Sequence, residues 1–348
     1  MERPDPRALA RLLLLALGVG AAGCAGPAQD SGLRGPFGAA VNAPPAPVES
    51  IGITRITTGG AAGEDLFPAP LPHGDGVVFS SSRHTRELKL FLKEAGTPGV
   101  LRLTSGPGND IHAVVAPDGG SLIFASDRDG AFRLYRITDL RRGGVAVPLT
   151  SAAYEAIHPC FDGRGERVCY MRRSPHGPWE VWVHDLRDGS DRWIGEGLFP
   201  EFHPHEDRIV VQRARQRDAR WYSLHLLDLE RGLERELIAW ENQGAVNPSY
   251  DPTGRWIIFN SVREPESAGA APHGDDLWCI TEAGGRPTRL TRTPGAEWNP
   301  VWGRDGHVYF SARTSRSTEI HRMSPRLSPF AGPNTVTLGT GLPGPEGR

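Results

Sequence analysis

Short apolar runs punctuate the chain, each preceded by a turn signal and followed by an alternating segment. They are Val77-Val78-Phe79, Leu122-Ile123-Phe124, Val168-Cys169-Tyr170, Ile209-Val210-Val211, Ile257-Ile258-Phe259 and Val308-Tyr309-Phe310. Runs this short, bounded by turns and rich in β-branched and aromatic residues, read as strands covered on both faces. The turns ahead of them carry Pro, Gly and Asp, as in Pro117-Asp118-Gly119, Asp162-Gly163-Arg164-Gly165 and Pro252-Thr253-Gly254. Pro presets φ and Gly or Asp tolerates the left-handed position, so each turn predicts a hairpin. A third strand follows with alternation, as in Leu88-Lys89-Leu90-Phe91 and Glu180-Val181-Trp182-Val183, and a fourth carries Arg102-Leu103-Thr104, Pro148-Leu149-Thr150 or Arg289-Leu290-Thr291.

Aligning the units on the residue just before the usual Pro gives Phe67, His112, His158, Phe199, Asn247 and Asn299, at spacings of 45, 46, 41, 48 and 52. Four strands per unit at such a period is the pattern of propeller blades. The phrase Pro-x-x-(Ser/Asp)-Pro-Asp-Gly, then a strand, Ser-x-Arg and later Leu-Thr, resembles the WD40-like repeat of TolB-type β-propellers over residues 50–325. Ser126 with Arg128, Ser261 with Arg263, and Ser82-Arg83 carry parts of the Ser-x-Arg element, while units three and four have Arg172-Arg173 and Gln212-Arg213 instead. The expected fold is all-β: one six-bladed β-propeller of four-stranded blades over residues 49–326. The sixth unit lacks its own Leu-Thr strand, and Ile53-Thr54-Arg55-Ile56-Thr57-Thr58-Gly59 has the missing pattern. An N-terminal strand is therefore expected to close the last blade and pair both exposed edges.

Composition adds an address. Arg3, Arg7 and Arg11 precede the apolar run Leu12 to Val19, too short to span a bilayer alone. The run ends in Ala21-Ala22-Gly23-Cys24, which resembles the signal-peptide end of bacterial lipoproteins. That resemblance implies a signal peptide over residues 1–23, lipidation of Cys24 and a location on the periplasmic side of the envelope, at the outer membrane. Residues 24–48 are rich in Gly, Ala and Pro and read as a flexible tether, and residues 327–348 as a disordered tail. TolB proteins also carry a separate N-terminal α/β domain, and residues 25–50 are too short for one. A formal net charge of −2 favours neither nucleic acid nor an anionic membrane surface, so the lipid is the only membrane contact expected, on a monomer. Cys160 and Cys169 flank one hairpin turn, which leaves a disulfide or two buried thiols open.

In a propeller the first strand of each blade lines the axis. The candidate binding set is therefore the channel rim: Phe67, His112, His158, Phe199, Asn247 and Asn299, with Trp298 and the upstream acids Asp65, Asp110 and Glu297. His112 and His158 with Asp110 or Glu155 resemble part of a metal set, but no third His stands at an equivalent position, so no metal or cofactor is expected. His203-Pro204-His205 falls on the turn of unit four and reads as a solvated turn. The run Arg213, Arg215, Arg217 and Arg220 reads as a solvated loop, and Glu264 to Asp276 as an insertion that either marks a binding surface or is a tolerated, mobile loop. No Gly-x-Ser-x-Gly elbow, phosphate loop or Cys-x-x-Cys occurs, so no catalytic residue is assigned. TolB-like propellers are associated with envelope integrity and protein contacts, so the resemblance implies a non-catalytic module that binds an envelope protein or peptide at the channel mouth. The alternative is a glycan-binding or metal-assisted glycan-cleaving propeller.

Overall fold

The computed structural model describes residues 49–326 apart from 59–62, 75, 142–143, 216–220, 263–274, 294 and 315–316. The described residues form 24 strands and no helix. Strand β1 (Glu49–Arg55) comes first. Four strands then build each of five blades: β2 (Asp65–Pro70), β3 (Gly76–Ser81), β4 (Lys89–Glu94) and β5 (Leu101–Arg102); β6 (Asp110–Val115), β7 (Leu122–Ser126), β8 (Arg133–Ile137) and β9 (Val147–Pro148); β10 (Glu155–Phe161), β11 (Arg167–Arg173), β12 (Glu180–Asp185) and β13 (Asp191–Glu196); β14 (Leu198–Phe202), β15 (Arg208–Ala214), β16 (Tyr222–Asp228) and β17 (Leu233–Ile238); β18 (Gly244–Tyr250), β19 (Trp256–Val262), β20 (Leu277–Thr281) and β21 (Thr288–Arg289). The sixth blade holds β22 (Glu297–Trp302), β23 (Val308–Arg313) and β24 (Thr318–Arg326), and β1 is its fourth strand. All six sheets are antiparallel, and the innermost strands β2, β6, β10, β14, β18 and β22 touch one another in cyclic order, β22 returning to β2. The expected all-β six-bladed ring is what forms.

The apolar runs are the second strands, and their continuity has a simple cause. Successive side chains of a strand point to opposite faces, and both faces of a blade are covered by neighbouring blades. Ile258 packs towards blade six with Trp302 and Phe310, while Ile257 and Phe259 pack towards blade four with Val210 and Leu224. Phe79, Phe124, Phe259 and Phe310 have no exposed surface, so each contributes roughly 2–3 kcal/mol of apolar burial.

The recurring polar residues hold the blades in register. In the Leu-Thr element the apolar residue donates its N–H to a third-strand carbonyl, and the Thr hydroxyl accepts the N–H of that same third-strand residue. Leu103 with Thr104 does this on Leu90, Leu149 with Thr150 on Leu134, and Leu290 with Thr291 on Leu277. The closing strand repeats it: Ile56 N donates to Ile320 O at 2.8 Å, and Ile320 N donates to Thr57 Oγ1 at 3.0 Å. Thr54 and Arg55 pair with Arg322 and His321.

The Ser-x-Arg element is a latch onto the acid that opens the first strand. Arg128 Nε donates to Ser126 Oγ at 2.9 Å and its Nη2 to Asp110 Oδ1 at 2.9 Å. In blade one Arg83 does the same to Asp65, through Ser81 and not the adjacent Ser82. Blade three keeps only the pair of Arg173 Nε with Glu155 Oε2, at 2.9 Å.

Cys160 and Cys169 face each other across β10 and β11 as free, buried thiols, and Cys279 is also buried and free. The signal segment, Cys24, the tether, the tail, Arg217, Arg220 and most of the 264–276 insertion lie outside the described residues.

Candidate functional site

The six aligned residues share one backbone feature. Phe67, His112, His158, Phe199, Asn247 and Asn299 all take left-handed conformations, with φ between 47° and 54°. Each sits where the pairing of its innermost strand with the second strand slips register. A bulge of this kind re-aims one side chain, here in the same way six times around the ring. Left-handed non-glycine residues cost on the order of 1–3 kcal/mol each, so the surrounding sheet must impose them.

The six side chains do not stand open. Phe67 and His112 meet edge-on with ring centroids 4.3 Å apart, His112 and His158 lie 5.2 Å apart, and His158 meets Phe199 at 4.7 Å. Phe67, His112, Phe199, Asn247 and Asn299 are all buried, with at most 7 % of their surface exposed. Together they form a layer across the axis.

The open part of the channel lies on one side of that layer. A cavity of about 200 Å³ is lined by Phe67, His112, His158 and Asn299 and by residues after them on the inner strands, such as Ala69, Val114, Glu201 and Val301. It reaches the hairpin turns at Pro72, Pro117, Gly163, Pro204, Pro252 and Arg304, and no described residue ahead of the six lines it. The layer is thus the floor, and the mouth is the ring of hairpin turns. The turns close on one another: a Cβ on Gly163 would lie 1.9 Å from Pro204 O, and one on Gly254 would meet the His203 ring at 2.1 Å. Arg304 spans the mouth from blade six to blade three, its Nη2 donating to Gly163 O at 3.3 Å.

The floor is polar but uncharged. Burial lowers His158 to about 4, and burial together with the neighbouring His158 holds His112 well below the usual imidazole range, so both rings are neutral near pH 7. Their Nδ1 atoms, and the amide oxygens of Asn247 and Asn299, are buried without a hydrogen-bond partner. Asn247 uses its nitrogen on Asn260 Oδ1 at 3.0 Å. Buried polar atoms are nearly always paired, so four orphans in one layer mark a place where a ligand or water completes the set. Two neutral imidazoles offer at most half of a metal's ligands, and no group of three or more metal-ligating side chains occurs among the described residues.

The other expected site residues have structural tasks. Asp65 and Asp110 have no exposed surface and are held by Arg83 and Arg128, with the buried Lys89 Nζ 3.8 Å from Asp110. Glu297 accepts hydrogen bonds from Thr293 and, at 3.0 Å, from Thr291 Oγ1. Trp298 is buried in the inner core with Leu66 and Phe199 and does not line the cavity. His203 is buried, in contrast to the solvated turn expected of it. Its Nδ1 accepts the N–H of His205 and Glu206, doing for this turn what Asp251 does for the next.

Sequence reasoning passed over Glu201. The signal was available two places after each aligned position, where the copies read Ala69, Val114, Cys160, Glu201, Ser249 and Val301. One carboxyl stands among small or apolar residues. Ser249 Oγ donates to Glu201 Oε1 at 3.2 Å, and burial pushes the carboxyl up to about 7. A larger hollow, about 680 Å³, lies between the turns of blades three and four. Most of its charged side chains pair with one another: Arg167 pairs with Asp162 and Asp207, and Arg187 with Asp185 and Glu166. It offers a ligand less unspent chemistry than the channel does.

No family model matches the chain. A curated relative, the uncharacterized peptidase YuxL of Bacillus subtilis, is 23% identical over 218 residues, 59% of this chain; the chain spans about a third (31%) of that relative's length. Among solved structures, TolB from Acinetobacter baumannii superposes with a TM-score of 0.56 at 19% identity, covering 69% of this chain and 57% of that one. A putative TolB from Agrobacterium tumefaciens gives 0.57 at 16%, covering 81% and 98%. An oligogalacturonate lyase in complex with manganese gives 0.55 at 12%, covering 82% and 97%. At these identities the likeness concerns architecture, which one scaffold lends to unrelated activities: the chain folds as a TolB-like six-bladed β-propeller.

Proposed function

We propose that the protein is a non-catalytic binding propeller of the bacterial cell envelope, lipid-anchored through Cys24, whose channel accepts a segment of a partner protein. The observation that carries the reading is the channel itself. Its described lining runs from the floor to the hairpin turns, and the floor offers neutral, unsatisfied hydrogen-bonding atoms beside the Phe67 ring. Amide groups of an extended peptide would complete His112, His158 and Asn299, while prolines 68, 70, 72, 117, 159, 204 and 252 give the wall a stiff apolar surface. The TolB-like fold and the lipoprotein-like N-terminus both support an envelope location.

The test is photo-crosslinking in intact cells, with the reactive side chain at Val114 or Val301 in the channel and at Trp193, more than half exposed, as an outer control. One protein should be captured from both channel positions and not from Trp193, with capture reduced at least fivefold by His158→Ala or Asn299→Ala. The protein should sediment with membranes and lose that behaviour in Cys24→Ser. Identical adducts from channel and outer positions would overturn the channel reading.

A further inference from the structure

We propose that the channel receives a primary ammonium group of its partner, a lysine side chain or a chain amino terminus, and that Glu201 is the residue that meets its charge. The inference rests on the channel reading above and names what the channel recognises.

The argument begins with the layer just above the floor. Five of its six positions hold Ala69, Val114, Cys160, Ser249 and Val301, none of them charged near neutral pH. The Cys160 thiol is pushed well up by its hydrogen bond with Cys169 and by burial, so it stays protonated. Glu201 is the single carboxyl in this layer, and it is partly exposed into the cavity.

The other acids along the inner strands and turns are already committed. Asp65, Asp110 and Glu155 each hold an arginine, Asp162 holds Arg167, and Asp251 accepts the N–H of Thr253 and Trp256. Glu201 has only the Ser249 hydroxyl and the neighbouring Cys160 thiol, and no described residue provides it with a counter-charge. A largely enclosed carboxylate without a counter-charge is costly, and an arriving cation reduces that cost.

The surroundings fit an ammonium on an aliphatic stem. The floor holds no positive charge that would compete, because His112 and His158 are neutral. Phe67 and the proline rings cover the methylenes while the charged end reaches Glu201. Cys169 and Tyr250 also face the carboxyl and stay uncharged, since burial raises both. Arg304 is the one like charge bordering the cavity, at its exposed mouth. It opposes the entering cation and has to swing aside.

The experiment titrates the purified full-length protein with N-acetyl-lysine N-methylamide, its norleucine counterpart, alanine amide and manganese chloride, reading affinity by calorimetry in every variant and, in the wild type, the Glu201 carboxyl carbon by NMR. The lysine probe should bind about tenfold more tightly at pH 8 than at pH 6, because Glu201 ionises across that interval. Norleucine should bind at least tenfold more weakly than lysine at pH 8. Glu201→Gln should erase the difference, and Arg304→Gln should strengthen lysine binding. Binding of alanine amide more tightly than the lysine probe assigns the site to an amino terminus, equal binding shows that either ammonium is accepted, and failure to bind assigns it to lysine. A charge preference that survives Glu201→Gln, equal affinity for norleucine, or displacement of the lysine probe by manganese would each overturn the proposal. Channel crosslinks that persist unchanged in Glu201→Gln defeat this inference alone. Lysine binding without any channel crosslink defeats the partner reading alone.

Discussion

At the scale of single residues, the six left-handed positions separate what the backbone needs from what the side chain does. Asn tolerates φ near +50°, whereas a β-branched residue there is a steric outlier and glycine is at ease. Asn299→Gly should change unfolding free energy by less than about 1 kcal/mol, and Asn299→Val should cost about 2–3 kcal/mol, although both delete the amide. Urea denaturation checks this, and equal costs for the two variants would show that the amide, not the backbone, matters for stability. The same positions show why the site is only half legible. Aligning the copies finds all six, but Phe carries no left-handed signal and His and Asn only a statistical one, so the sequence suggests an open rim where a packed floor exists. Asp65 and Asp110 look like rim acids in the sequence because the Ser-x-Arg phrase names its arginine and not the acid it latches. Trp298 lies next to an aligned position yet faces the inner core.

At the scale of elements, the blade depends on short phrases that were legible because hydrogen bonding demands them. Leu-Thr recurs in blades one, two and five because its Thr hydroxyl completes the ladder beside fourth strands only two residues long. Blades three and four have fourth strands of six residues and dispense with the phrase. That reasoning is also why Ile56-Thr57 could be recognised, far from the blade it completes. Deleting residues 49–58 should strip the last blade of its outer strand and leave the β24 edge unpaired. The expected result is a melting temperature lower by at least 10 °C with increased aggregation, and an unchanged melt would contradict the closure.

At the scale of the whole molecule, the channel couples stability to pH through groups that oppose each other. His158 has a folded value near 4 against an ordinary 6.5, so its contribution is complete above pH 6.5 and is lost as pH falls towards 4, at most about 3 kcal/mol. Glu201 has a folded value near 7 against an ordinary 4.5, so the folded state holds the extra proton. Its effect runs the other way: stability declines as pH rises from 4.5 to 7, by a similar amount. His112 adds to the histidine side, and Asp275, raised to about 7 by burial and by Asp276 and Glu297, adds to the acid side. The wild-type profile between pH 5 and 7 should therefore be shallow. Denaturant unfolding of Glu201→Gln should show stability increasing with pH, and of His158→Gln decreasing with pH. Parallel profiles for the two variants would contradict the opposition.

The closing strand has a mechanical meaning as well. The chain preceding Glu49 enters the ring along β1, the outermost strand of the last blade, which lies antiparallel to β24. A pull on that preceding segment along the strand axis loads the β1–β24 ladder in shear, so its hydrogen bonds share the force instead of opening one after another. The point where tension reaches the molecule is also the seam that keeps the ring shut. Load applied there would be felt first as slippage of β1 against β24, and the widening of the last blade would follow from it.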